Sequence, residues 1–422
     1  MRIRIEGKTP LSGKIHPSGN SNSAQALVAA ALLGDQPITL RNYPDTISAR
    51  RMVTHAQELG ATAEWSDKST VTITANQLTR RTLDQNETDS SVGTLLFVAP
   101  LVCRRGYARL ELDYPLNRIR THLDALRDLG IDVLVSSGAV DLKSSTWEQK
   151  DILLTQTSVT ATAIVMMLAA YLGNETTIRN AASEPHIEDL GGLLNDMGAR
   201  VEGLGSNVLI VHGAELHNSA SYTVSYDHIE AASIAAVCAV TGGRAQIEGV
   251  QPKHMRLISR IFWRLGINFD LDDGTLYVSK HENLIVSNRE EDVDASIETA
   301  PWPGFPSDLV AVATVVATQA RGTSLIHEKL FSNRLLFVDK LKSMGAQIVL
   351  CDPHRAIVVG PTPLRGTYMD TPDIRAGMGM LAAALIADRT TVIDNAQVLD
   401  YSFSNILEKL TSLNAKITIE HD

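Results

Sequence analysis

The side chains able to do chemistry in this 422-residue chain are polar groups placed at the ends of apolar runs. Ser158, Val159 and Thr160 stand directly before ATAIVMMLAAYL, so this turn offers two hydroxyls and the free N–H groups of a helix start. Such a turn suits an anion, because the first turn of a helix leaves donors unpaired and carries the positive end of the dipole. A plain N-cap uses the same residues. Asp308 follows Ser307 and precedes LVAVATVVATQA, which is again a capping position. Asp113 stands two residues before Pro115, where a strand can end in a turn. Cationic groups lie at Arg118 and Arg120, then at Arg334 and Arg375, with Asp373 placed to hold Arg375 by an ion pair. Taken singly, each of these arginines reads as a solvated surface residue.

Other chemistries find no foothold. The histidines show no HExxH or comparable spacing, and no glycine-rich phosphate loop follows a strand, so no metal and no cofactor is expected. Cys103, Cys238 and Cys351 form no CxxC, and Cys238 sits in the core-like run IAAVCAV, which suits a reduced, cytoplasmic protein. A net charge of −10 argues against nucleic-acid binding but not against a small anionic substrate held in a local cationic pocket. The most apolar stretch, 161–172, is too short to span a bilayer, and MRIRIEGKTP does not read as a signal peptide.

An internal repeat must position these groups. A helix ending in Leu/Met-Gly and followed by a strand recurs at Gly60, Gly130, Gly198, Gly266, Gly345 and, with Asn, at Asn414, giving spacings of 70, 68, 68, 79 and 69. Gly or Asn at these points predicts a left-handed helix C-cap. A second marker, an apolar helix followed by a polar turn and a β-rich strand, keeps the same period from LLGDQPITLRNY to LIADRTTVIDNA. Each unit reads as βαβαββ. Helices such as AGMGMLAAALIA are apolar nearly all round, so they belong inside with sheets around them. The expected fold is a two-domain, inside-out α/β barrel of six repeats. A solenoid is the plainer alternative, but solenoid repeats are shorter.

The repeating segments also carry a resemblance. SGNSNSAQALVAAALL, TSVTATAIVMMLAAYLGNETTIRNAASEPHIEDLGGLLNDMGARVEGLGSN, YDHIEAASIAAVCAVTGG, PGFPSDLVA, FSNRLLFVDKLKSMGA and TPDIRAGMGMLAAALIADRTTVID resemble, in order, segments of the UDP-N-acetylglucosamine 1-carboxyvinyltransferases. RIRTHLDALRDLGIDV also resembles a segment of the related shikimate-pathway enolpyruvyl transferase. The resemblance implies one domain over residues 21–227 and a second over 1–20 plus 228–422, with the active site in the cleft between them. It also implies transfer of the enolpyruvyl group of phosphoenolpyruvate to a hydroxyl of a nucleotide or nucleotide-sugar such as UDP-N-acetylglucosamine. In that case Asp308 deprotonates the acceptor, Arg334 and Arg375 bind the donor carboxylate, Asn22 bonds the donor or adduct, and Ser158–Thr160 cradle the diphosphate. Thr160 stands where the family has Gly, so backbone approach to a ligand is less close.

Three departures qualify this. Ser21 replaces the family's catalytic Lys, and Tyr401 replaces a donor-binding Arg. Each loss removes a charged hydrogen bond worth roughly 1.5–3 kcal/mol, so together they weaken donor binding by about two to four decades unless compensated. The loop that bears the family's reactive Cys is shorter here. Counting from Arg118 places Asp113 at the Cys position, as an acid for C3 or simply as the end of a strand, and Arg118 and Arg120 can restore positive charge. These changes suit a divergent or pathway-specific transferase. A catalytically lapsed nucleotide-binding or regulatory homologue, or transfer to a shikimate-like acceptor, stands as the alternative.

Overall fold

The periodic glycines are a helix-ending device used six times. In the computed structural model, which describes residues 1–85, 92–287, 296–369 and 376–420, the six marker residues all have positive φ, from 75° at Asn414 to 122° at Gly198. Each marker N–H donates to the carbonyl three residues back, and the next N–H reaches five residues back. Gly60 to Gln57 with Ala61 to Ala56, both at 3.0 Å, is one case, and Asn414 to Thr411 at 2.9 Å with Ala415 to Leu410 at 3.0 Å is the last. This is the Schellman pattern, and only Gly, or Asn at a smaller φ, enters it without strain.

Each helix so ended leads into a sheet of one design. Among the described residues the chain forms six four-stranded sheets. In one of them Ser296–Glu298 runs parallel to Gly322–His327, which pairs antiparallel with Arg355–Gly360, itself antiparallel to Gln347–Asp352. The other five repeat the order parallel, antiparallel, antiparallel. The βαβαββ repeat expected from the sequence is therefore present six times.

The sheets enclose helices with no polar face. Val159–Leu172, His228–Val240, Val310–Gln319 and Gly377–Ile386 are buried along nearly their whole length. Ser21–Ala31 is buried except at Asn22, in the first turn. A helix apolar all round has to lie inside, which yields the inside-out α/β barrel. The repeats fall into two compact units, Gly19–Ser225 and Met1–Ser18 with Tyr226–Asp422, each with its own hydrophobic core.

Two strands change places relative to the helix that each precedes in sequence. Ser12–Ile15 leads directly toward Ser21–Ala31 but pairs with Arg244–Glu248, whereas Ala220–Thr223 leads toward His228–Val240 but pairs with Ile38–Arg41. Asn20 N donates to Ser225 O and Asp227 N to Ser18 O, both at 2.8 Å.

In the Tyr226–Asp422 unit the three buried helices pack against one another. Gly379 makes this possible between Gly377–Ile386 and Val310–Gln319, because a Cβ there would lie 2.7 Å from Ala311 Cβ and 2.9 Å from its backbone carbon. Backbone cannot swing aside. We expect Gly379→Val to cost roughly 1–3 kcal/mol by overpacking, read by calorimetry as a Tm lower by several degrees. An unchanged Tm would show that the helices do not approach this closely.

Candidate active site

Because the buried helices carry no chemistry along their length, their ends do. Within the Tyr226–Asp422 unit, a short 3-10 turn, Ser307–Leu309, opens the helix Val310–Gln319 and carries Asp308 on its exposed side. Arg334 Nη1 donates to Asp308 Oδ1 at 2.9 Å. The arginine side chain is only 10% exposed against 50% for the aspartate, so the cation is the sequestered partner. Its guanidinium carbon lies 4.7 Å from the centroid of the Phe331 ring, and among the described residues its buried Nε has no hydrogen-bond partner. A desolvated guanidinium with donor capacity to spare beside a solvated carboxylate can hold an anionic group next to a base. Asp373 and Arg375 lie outside the described residues. Tyr401 ends the 3-10 turn Ala396–Tyr401 in the same unit and is half-buried.

A second carboxylate here escaped the sequence reading. Asp227 is buried and caps His228–Val240, its Oδ1 accepting from Ile229 N at 2.8 Å and Glu230 N at 3.2 Å. Burial, reinforced by the Glu230 carboxylate, pushes its carboxyl up to about 7 against those two backbone bonds, and Asp308 adds a smaller repulsion. Glu230 is also raised by burial, although Lys409 Nζ pairs with it and opposes the shift. The signal for Asp227 was the Tyr-Asp-His string before an apolar helix, which reads as a cap and nothing more.

Within the Gly19–Ser225 unit two helix starts stand out. Ser158 is the N-cap of Val159–Leu172, its Oγ accepting from Ala161 N at 3.3 Å, so the plain capping reading holds for its hydroxyl. Thr160 Oγ1 is 2.7 Å from His122 Nε2. Burial lowers the His122 pKa to about 4, so that ring is neutral at physiological pH and brings no charge to the turn. What remains for an anion is the backbone N–H groups of this first turn together with Val159, which is half-buried.

The other start holds Ser21 and Asn22. Asn20 caps the helix, accepting from Ser23 N at 2.9 Å, and Asn22 is exposed. Ser21 Oγ is buried and lies 2.9 Å from both Thr46 Oγ1 and Ser48 Oγ. Three neutral hydroxyls thus close over this helix start. Asp113 is exposed in the bend after Tyr107–Leu112, as the strand-end reading expected. Nearby, the Arg118 guanidinium carbon lies 5.6 Å from the Tyr114 ring centroid, and Arg120, 81% exposed, faces Asp124 at 3.6 Å. Among the described residues no cluster of His, Cys, Asp and Glu could hold a metal, and no helix is long and apolar enough to cross a membrane.

Residues 5–410 match the family of EPSP synthase (3-phosphoshikimate 1-carboxyvinyltransferase). The chain is 40% identical to a UDP-N-acetylglucosamine 1-carboxyvinyltransferase of Bradyrhizobium diazoefficiens, over 98% of this chain and 96% of that protein. It is 37% identical to the enzyme of the same name from Treponema pallidum, over 98% of both chains. Among solved structures, the enolpyruvyl transferase NikO from Streptomyces tendae superposes with a TM-score of 0.86 at 24% identity, covering 99% of this chain and 98% of that one. EPSP synthase from Acinetobacter baumannii gives a TM-score of 0.74 at 16% identity, covering 99% and 100%.

The raised Asp227 carboxyl carries a pH signature. The folded state retains a proton that the unfolded chain has released, so the contribution of this group to stability is intact at low pH. It is lost as pH rises from the ordinary 3.8 through about 7. Asp227→Asn keeps an acceptor for the two cap bonds and removes the titration. We expect the loss of Tm between about pH 5 and pH 8 to be smaller by several degrees in the variant than in the wild type. Parallel Tm–pH curves would refute the assignment.

Proposed function

The chain belongs to the EPSP synthase family of enolpyruvyl transferases, and from that premise we propose that it moves the carboxyvinyl group of phosphoenolpyruvate to a hydroxyl of a UDP-sugar. The full-length similarity to the UDP-N-acetylglucosamine carboxyvinyltransferases supports this acceptor class over a shikimate-like one. The observation that carries the site reading is the Asp308–Arg334 pair, a solvated carboxylate held against a buried cation.

In this reading Arg334, with Arg375, receives the donor carboxylate, and Asp308 takes the proton from the acceptor hydroxyl. The acceptor oxygen bonds to C2 while C3 gains a proton, giving a tetrahedral adduct. Loss of a C3 proton and cleavage of the C2–O bond to phosphate then leave the enol ether and free phosphate. Asp113 is the acid proposed for C3. Asn22 bonds the donor or adduct, the first turn after Ser158 receives the diphosphate, and Arg118 and Arg120 add positive charge. The donor site lacks the family's Lys, since the Ser21 hydroxyl cluster is neutral, and Tyr401 replaces an Arg. A donor of nearly three negative charges is therefore bound with fewer cations. That favours a specialised member of the family over a high-affinity housekeeping enzyme. It also keeps in view a homologue that binds nucleotide without turnover.

The decisive assay follows phosphate release and an enolpyruvyl-sized mass gain with phosphoenolpyruvate and UDP-N-acetylglucosamine, UMP, other nucleotides or shikimate 3-phosphate. We expect turnover with a UDP-sugar. Asp308→Ala should lower kcat by about 10²–10⁴-fold as expected for loss of a general base, and Arg334→Ala should chiefly raise KM for phosphoenolpyruvate. Nucleotide binding without turnover on any acceptor would move the assignment to the non-catalytic homologue.

A further inference from the structure

Glu328 is a fully buried carboxylate that no step of this chemistry uses. It follows the strand Gly322–His327, in the same unit as Asp308 and Arg334. Its Oε1 accepts from Thr299 Oγ1 at 3.0 Å, from Leu330 N at 2.8 Å and from Phe331 N at 3.1 Å. Its Oε2 accepts from Ser307 Oγ at 2.6 Å. The backbone of Glu328 is fixed as well, since its N–H donates to His354 O at 2.8 Å and its carbonyl lies 2.8 Å from His354 Nδ1. Among the described residues no lysine or arginine pairs with it, so its charge is carried by neutral donors that converge from two loops. A buried carboxylate without those donors would be strongly disfavoured, so the donors and the loops bearing them are held where the charge is.

The two loops are those that carry the ion pair. Ser307 is the residue before Asp308, and Phe331 is the ring beneath the Arg334 guanidinium. We propose that Glu328 is the positioning residue of this site, anchoring the Asp308 turn through Ser307 and the Arg334 turn through Leu330 and Phe331. The proposal rests on the roles given above to Asp308 and Arg334. The anchor is asymmetric. Among the described residues its Oε2 serves the turn of the base alone, while Oε1 serves the turn of the donor-binding arginine and Thr299, whose Oγ1 also accepts from Lys329 N at 2.8 Å.

That asymmetry gives the test, made on the full chain by steady-state kinetics and hydrogen–deuterium exchange. Ser307→Ala cuts one link and should lower kcat by roughly 10- to 100-fold, the scale of a misplacement of about 1 Å, while leaving KM for phosphoenolpyruvate within about twofold. Glu328→Ala should lower kcat and raise that KM together, and adding Ser307→Ala to it should change nothing further. Glu328→Gln keeps the Oε1 acceptor and turns an amide toward Ser307 Oγ, so it should restore both constants to within a few fold. Exchange around residues 305–309 should quicken in Ser307→Ala with 330–334 unaltered, and both segments should quicken in Glu328→Ala. Kinetic constants and exchange unchanged in Ser307→Ala and Glu328→Ala, in a protein inactivated by Asp308→Ala, would overturn the proposal. Turnover surviving both Asp308→Ala and Arg334→Ala would sink the functional reading instead. The exchange data then decide the anchor alone, and failure of the two segments to respond to Glu328→Ala overturns it.

Discussion

A helix with apolar side chains on every face is stable only where water is excluded along its whole circumference, and this chain contains such helices in both units. Everything else follows from enclosing them. Sheets must cover them, each sheet must offer one apolar face inward, and the connection from helix to sheet must turn sharply enough to come back over the helix. Six left-handed caps turn the chain into these sheets, and they end the other helix of each repeat rather than the enclosed one. Enclosure also confines polar chemistry to the helix ends, where unpaired N–H groups and the positive end of the dipole favour anions. Ser21, Ser158, Asp227 and Asp308 all stand at such starts, and Arg375 precedes another in sequence. A substrate made of phosphates and carboxylates suits this geometry.

The amino-acid sequence shows the fold because the fold is written in short-range terms. A left-handed cap needs Gly or Asn within a few residues of its helix, and an all-apolar helix declares its burial by composition. Gly60 through Asn414 could therefore be read in a row. The exchange of Ser12–Ile15 and Ala220–Thr223 could not, because each strand pairs with one far along the chain and nothing in four residues specifies which. The same limit governs the site. Asp308 and Arg334 were candidates read from separate strings, and the structure shows them paired. The roles of Asp227 and Glu328 were not, since Glu328 takes its meaning from Ser307 and Thr299, more than twenty residues earlier. Ser158 shows the converse, where capping and anion binding share one local signature and the side chain is spent on the cap.

Ser21 does more than leave its helix start uncharged. A lysine there would need an outlet for its ammonium at the mouth of a helix start, where the dipole disfavours a cation. Instead Ser21, Thr46 and Ser48 satisfy one another, and Thr46 also caps the following helix, Ile47–Glu58. The two helix starts are thereby tied together by neutral groups.

The strand exchange bears on the order in which the protein can be made. Residues 19–225 are continuous, so that unit has all its own strands once residue 225 has left the ribosome. The first eighteen residues belong to the other unit, where Arg2–Glu6 lies between Thr390–Ile393 and Lys416–Glu420. Arg2–Glu6 therefore meets its sheet partners only after the chain has been made past residue 390.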